Sequence, residues 1–208
     1  MSPSVGKTIV CLRGDYQAIK VIKEREKLLL MQGIVIINDY NKNNHMGFDV
    51  IISPLRGTPE YTVYHPLISS FKNVIYEEDP EKALNKAISY PNESFDKAIV
   101  GIDPGKLCGY VIFADDLIIN VGKRGCDEIG EEIKSRISKI NHRRIEILLG
   151  SGEGWSEASV SLLDSGLSYK IIREDEVARR MPKIPMLNIF KDRDIRSAVA
   201  IALKGGKM

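Results

Sequence analysis

No apolar run in the 208 residues reaches the 18 or more that a membrane-spanning helix needs, so no membrane partner is expected. The opening Met1-Ser-Pro-Ser-Val-Gly-Lys-Thr-Ile-Val10 has no signal-peptide core and leads directly into a strand-like run. Only three cysteines are present, Cys11, Cys108 and Cys126, an odd number set far apart with no C-x-x-C pair. They read neither as a disulfide framework nor as a zinc site, and they fit a reducing cytoplasm, the expected location. His45, His65 and His142 are scattered and mark no zinc constellation. There is no G-x-S-x-G, and no cysteine has an obvious histidine partner. Gly6-Lys-Thr8 copies the tail of a P-loop, but the earlier glycine would fall at Met1 and a strand follows where a helix is required. A net charge of +2 announces no strongly charged partner, and neither internal repeats nor low-complexity stretches are visible.

What remains is an ordinary globular composition, 43% hydrophobic and 28% charged, long enough for one large domain or two small ones. Short β-branched runs at 8–12, 34–37, 50–52 and 74–76 read as strands, with helices at 15–32 and near 79–89. Asp79 can cap the second helix, with Pro80 at its first position. Residues 53–66 hold proline and glycine without a clear period and read as a loop. This alternation favours a small parallel α/β domain over 1–92. The polar, proline-broken Tyr90-Pro-Asn-Glu-Ser-Phe95 marks the boundary. Strands then follow quickly at 98–102, 109–113 and 117–121, as in an antiparallel meander. A helix at about 126–140, a strand at 145–149, a helix at 155–165, a strand at 169–172 and a helix at 192–204 complete a second domain over 96–208. Its order is β-β-β-α-β-α-β-α, an α/β fold with a mixed five-stranded sheet.

The most informative string is Val100-Gly-Ile-Asp-Pro-Gly-Lys-Leu-Cys-Gly-Tyr-Val-Ile-Phe113. It places Asp103 at an exposed strand end, before a tight turn, where a carboxylate can bind Mg²⁺. Asp103-Pro-Gly105 is also plain turn chemistry. Together with the element order, Gly101-Ile-Asp-Pro-Gly105 resembles the RNase H-like superfamily, and within it the RuvC-like Holliday-junction resolvases and their YqgF-type relatives, over about residues 97–204.

The resemblance implies a nuclease dependent on Mg²⁺ or Mn²⁺ that hydrolyses phosphodiesters in structured DNA or RNA. Asp103 matches the family's first acid and Asp194 the first acid of its last-helix pattern, both as metal ligands. Ser197 stands where that helix has a second acid, while Asp192 is either a compensating ligand or the helix cap. The resolvase pattern has a glutamate after Ile147-Leu-Leu149, but this chain has Gly150 there; Glu146 lies too early on the strand. The next acid, Glu153, is a third catalytic candidate within Gly150-Ser-Gly-Glu-Gly154, which is closer to the YqgF-type sequence. That glycine turn could also cradle a phosphate, or simply be a flexible connection. Trp155 beside it reads as a packing anchor rather than a base-stacking platform. Arg179, Arg180, Arg193 and Arg196, in the basic stretch 179–196, would hold the phosphate backbone. The alternative is a domain that has kept the fold and lost the chemistry, serving as a nucleic-acid-binding or assembly module; a homodimer fits either reading. In the first domain, Arg13-Gly-Asp15 and Ser53-Pro-Leu-Arg-Gly57 follow strands, where open α/β sheets often bind ligands and where ordinary connections also lie.

Overall fold

The computed structural model describes residues 6–38, 48–173 and 189–205. The chain divides into two compact units, residues 1–94 with 139–141, and residues 95–138 with 142–208. No helix among the described residues is long and apolar enough to cross a membrane.

Unit 1 is a parallel four-stranded sheet in the order β2-β1-β3-β4, built from β1 (Lys7–Cys11), β2 (Ile34–Ile37), β3 (Val50–Ile52) and β4 (Val74–Ile75). Helices α1 (Tyr16–Leu30), α2 (Pro59–Ser70) and α3 (Pro80–Ser89) connect or follow the strands. Strand alternation turns Val10, Leu12 and Ile51 towards Ile68 of α2, with Tyr61, Tyr64 and Leu67 packed around them. Between α1 and α3, the buried Arg25 reaches Glu81 at 2.5 Å and Asn85 at 2.8 Å. A charge removed from water needs such partners, because an unpaired one costs several kcal/mol.

The loop reading of 53–66 is corrected by α2. Thr58 caps it, accepting from the Tyr61 amide at 3.3 Å, and Pro59 opens it. Pro66 inside the helix removes one donor and obscures the sequence period. Apolar packing of Tyr61, Tyr64, Leu67 and Ile68 on the sheet outweighs that loss.

Unit 2 is a mixed five-stranded sheet, β7-β6-β5-β8-β9. β5 (Phe95–Asp103), β6 (Cys108–Ala114) and β7 (Leu117–Arg124) form the antiparallel meander, while β8 (His142–Gly150) and β9 (Lys170–Ile172) add in parallel beside β5. Helices α4 (Ile129–Ile137), α5 (Trp155–Asp164) and α6 (Arg193–Gly205) complete the unit. α6 lies on one face of the sheet. A Cβ added at Gly101 would stand 2.2 Å from the Ala198 carbonyl oxygen, so this helix approaches β5 at backbone distance. The opposite face carries Tyr110, whose hydroxyl is 2.7 Å from Glu132 of α4. Burial first, and then the Glu132 carboxylate, push that phenol well above its ordinary pKa.

Two expectations fail in this unit. Cys108 and Cys126 are joined as a disulfide, leaving Cys11 as the free, buried cysteine. Register explains the pairing: Cys108 lies opposite Arg124 across the β6–β7 ladder, which brings Cys126 back to it. The argument for a reducing compartment, which rested on three unpaired thiols, loses that support. Trp155 is 43% exposed at the start of α5 and is not a core anchor.

Candidate functional site

The antiparallel register sets Asp103 on β5 opposite Gly109 on β6, and Gly109 opposite Lys123 on β7. On the other side, β5 and β8 are paired up to Ile102 and Leu149, which brings Gly150 alongside Asp103. Gly150, Asp103, Gly109 and Lys123 therefore form one row across four strands. Alternation puts Asp103 on the same face as Gly101, the face covered by α6.

The glycines in this row allow the last helix to come close. A Cβ at Gly109 would lie 2.7 Å from the carbonyl carbon of Asp194 and 2.9 Å from its Cβ. Because Gly109 is the cross-strand partner of Asp103, this contact brings Asp194 to the end of β5, in the row of Asp103. The two acids are 91 positions apart in sequence, and the close approach of β6 and α6 unites them.

Asp192 caps α6, as one of its two sequence readings held. Its Oδ1 accepts from the amides of Asp194 at 2.9 Å and Ile195 at 3.2 Å. These amides, the Ile195 one foremost, and the Lys123 ammonium hold its carboxyl below the usual range. Lys123 pairs with both aspartates, lying 3.2 Å from Asp192 Oδ2 and in direct contact with Asp194. Hydrogen bonding to Asp194 and then Asp192 raises the lysine above its ordinary value, so its charge is secured. Sequence reasoning missed Lys123; its only signal is a lysine near the end of the third strand, and its place in the row requires the β6–β7 register.

Gly150 offers no carboxylate, and the space around it is filled. An added Cβ would stand 2.9 Å from Ile201 Cδ1 and 3.2 Å from Pro104 Cδ. Ser197, in the first turns of α6, is likewise not an acid. Glu153 is exposed in the turn after β8. Its neighbour Gly154, at φ 81°, packs against the Asp103-Pro104-Gly105 turn: a Cβ there would be 2.9 Å from the Gly105 carbonyl oxygen and 3.5 Å from Cys126 Sγ. Glu153 is thus one residue from a contact with the turn that follows Asp103. Glu146 is four positions upstream of the strand end, tied to Lys170 at 2.5 Å and Lys97 at 2.7 Å.

Arg193 is exposed and Arg196 half-buried, three residues apart and so on neighbouring positions of one helix face. The buried Nε of Arg196 has no hydrogen-bond partner among the described residues. Arg179 and Arg180 lie outside the described residues.

No group of three or more His, Cys, Asp or Glu side chains able to hold a metal occurs among the described residues. Asp103 and Asp194, at the same end of the sheet, are carboxylates of the kind that ligate Mg²⁺ or Mn²⁺ alongside water and phosphate oxygens. They do not supply the ligands for a pair of such ions. No protein-family model matches the chain, and no curated protein matches it.

Proposed function

We propose that unit 2 is an RNase H-like unit of RuvC or YqgF type and acts on structured DNA or RNA as a divalent-metal-dependent nuclease. The observation that carries this reading is the seating of Asp194 on Gly109, the cross-strand partner of Asp103. The sheet order β7-β6-β5-β8-β9, a meander followed by two parallel strands, supports it as well. Asp103 and Asp194 are the residues that would hold one divalent cation, and a bound cation of this kind polarises a phosphoryl oxygen and acidifies water. Lys123 neutralises Asp194 in the free protein and presents an ammonium to an arriving phosphate. Arg193 and Arg196, on the same helix as Asp194, supply charge for the backbone on either side.

A second reading follows from Lys123 itself. An ammonium shared by Asp192 and Asp194, with glycine and serine at two acid positions, also describes a module that binds nucleic acid without cutting it. One experiment separates the two. Labelled four-way junction, duplex DNA, RNA–DNA hybrid and single-stranded RNA are incubated with the protein and Mn²⁺, with Asp103→Asn as control. Cleavage that the variant lacks is the expected result. Binding without cleavage, with no divalent cation taken up on titration, establishes the second reading. Cleavage unchanged in the variant overturns the site.

A further inference from the structure

Unit 1 has a crevice that the nuclease reading leaves unused. β1 and β3 are neighbours whose connections run in opposite directions, through α1 to β2 and through α2 to β4. In open α/β sheets, ligands bind outside the carboxyl ends of the strands at such a reversal. Beside it, between the loops after β3 and β4, lies a cavity of about 490 Å³ lined by Pro54, Leu55, Arg56, Tyr76, Glu77 and Glu78. A smaller one of about 100 Å³, sharing Pro54 and Leu55, extends towards Arg13 and Asp15. The larger falls within the roughly 300–1,000 Å³ of small-molecule sites.

The walls are fixed before any ligand arrives. Arg13, only 6% exposed, bonds Asp15 at 2.8 Å and the carbonyls of Glu77 and Glu78 at 2.9 and 2.8 Å, tying the loops after β1 and β4 together. Arg56 stands 5.2 Å over the Tyr76 ring, joining the loops after β3 and β4.

The chemistry of the lining narrows the occupant. The three helix N-termini that follow these strands are already closed by Asp15, Thr58 and Asp79, two of them carboxylates. A phosphate would find no open helix amides there, and beside Arg56 it would meet the carboxylates of Glu77 and Glu78. Tyr76, 48% exposed, and the planar Arg56 guanidinium over it stand beside the apolar Pro54 and Leu55, a wall that suits a flat ligand. Glu77 is engaged by Lys86 at 2.5 Å. The exposed Glu78 carboxylate makes no ion pair among the described residues. Its two oxygens can accept two adjacent N–H groups at once. Guanine presents such a pair in N1–H and the N2 amine, whereas adenine and cytosine set an amine beside a lone pair that a carboxylate repels.

We infer that this crevice binds a guanine ring, stacked against the Arg56–Tyr76 pair and held by Glu78, with no requirement for phosphate. The test uses the full chain and isothermal titration with guanosine, inosine, adenosine and guanosine monophosphate. Guanosine is expected to bind at least about tenfold tighter than adenosine or inosine, the value of a hydrogen bond to a charged group. The monophosphate is expected to match guanosine to within a few-fold. Tyr76→Ala should lose binding, and Glu78→Gln should erase the preference for guanosine. Equal binding of adenosine, a preference that survives Glu78→Gln, a monophosphate far tighter than the nucleoside, or no guanosine binding would each overturn the inference. A short single strand with one guanine, compared with one lacking it, distinguishes a ring presented by nucleic acid from a free nucleoside. Asp103→Asn should bind guanosine normally, so failure of the nuclease reading and failure of this one are told apart.

Discussion

At Gly101 a methyl group would meet the Ala198 carbonyl oxygen at 2.2 Å and the Ala202 Cβ at 2.8 Å. Backbone on one side and a buried helix on the other leave nothing flexible to yield. Gly101→Ala is therefore expected to destabilise unit 2 by about 1–3 kcal/mol, the usual cost of overpacking. A lowered midpoint in thermal or urea unfolding checks it, and an unchanged midpoint would show that α6 does not lie so close to β5. Gly101 and Asp103 both belong to the motif that the sequence singled out, and the structure gives them different work. The glycine admits the helix that carries Asp194; the aspartate stands at the strand end opposite Gly109, on which Asp194 is seated. Composition and spacing expose such a motif but not which of its residues is steric and which is chemical. Lys123 was illegible for a related reason, since an isolated lysine near a strand end looks like any solvated charge until the register is known.

Among the elements, the β5–β8–β9 edge carries a pH-dependent linkage. Glu146 on β8 is held below the ordinary carboxylate range by Lys170 of β9 first and Lys97 of β5 second. A carboxyl whose folded pKa is depressed contributes stability that is fully present above its unfolded value, near 4.3, and is lost as pH falls through the folded value. Wild-type stability should thus decline below about pH 4.3 more steeply than that of Glu146→Gln, which starts lower at neutral pH. Unfolding midpoints from pH 7 down to 3 test this, and parallel curves for the two proteins would sink it. Both lysines are partly solvated, so the effect is modest. The strands themselves were readable because their β-branched runs are short and bounded by turn residues. Helix α3 was equally plain through Asp79 and Pro80. Helix α2 was hidden because an internal proline and aromatic residues disguise its period, and its stability comes from the sheet it covers. Trp155 misled in the opposite sense: a large apolar residue suggests burial, yet a helix start at the sheet rim leaves it half in water.

At the scale of the whole molecule, the Cys108–Cys126 bridge closes an 18-residue span that encloses β6, β7 and the approach to α4. Cross-linking a loop of that size restricts the unfolded chain by about 3 kcal/mol. Reduction with a dithiol, or Cys126→Ser, should lower the melting temperature of unit 2. Alkylation of the native, unreduced protein under denaturing conditions should label Cys11 alone, and labelling of all three thiols would contradict the bridge. The buried Cys11 thiol, pushed up to about 11 by burial, should react slowly in the folded state.

The sequence by itself determined the α/β class, the position of nearly every strand, the parallel layer followed by a meander, and the candidacy of Asp103 and Asp194. These depend on local chemistry: side-chain periodicity, turn residues and caps act over a few positions. Only the tertiary structure decided that Gly109 lets Asp194 reach the end of β5, that Lys123 joins both aspartates of α6, that Cys126 meets Cys108, and that three loops of unit 1 enclose a crevice. Each of these depends on strand register or helix-to-sheet distance, where residues far apart in the chain meet, and no local pattern encodes that distance.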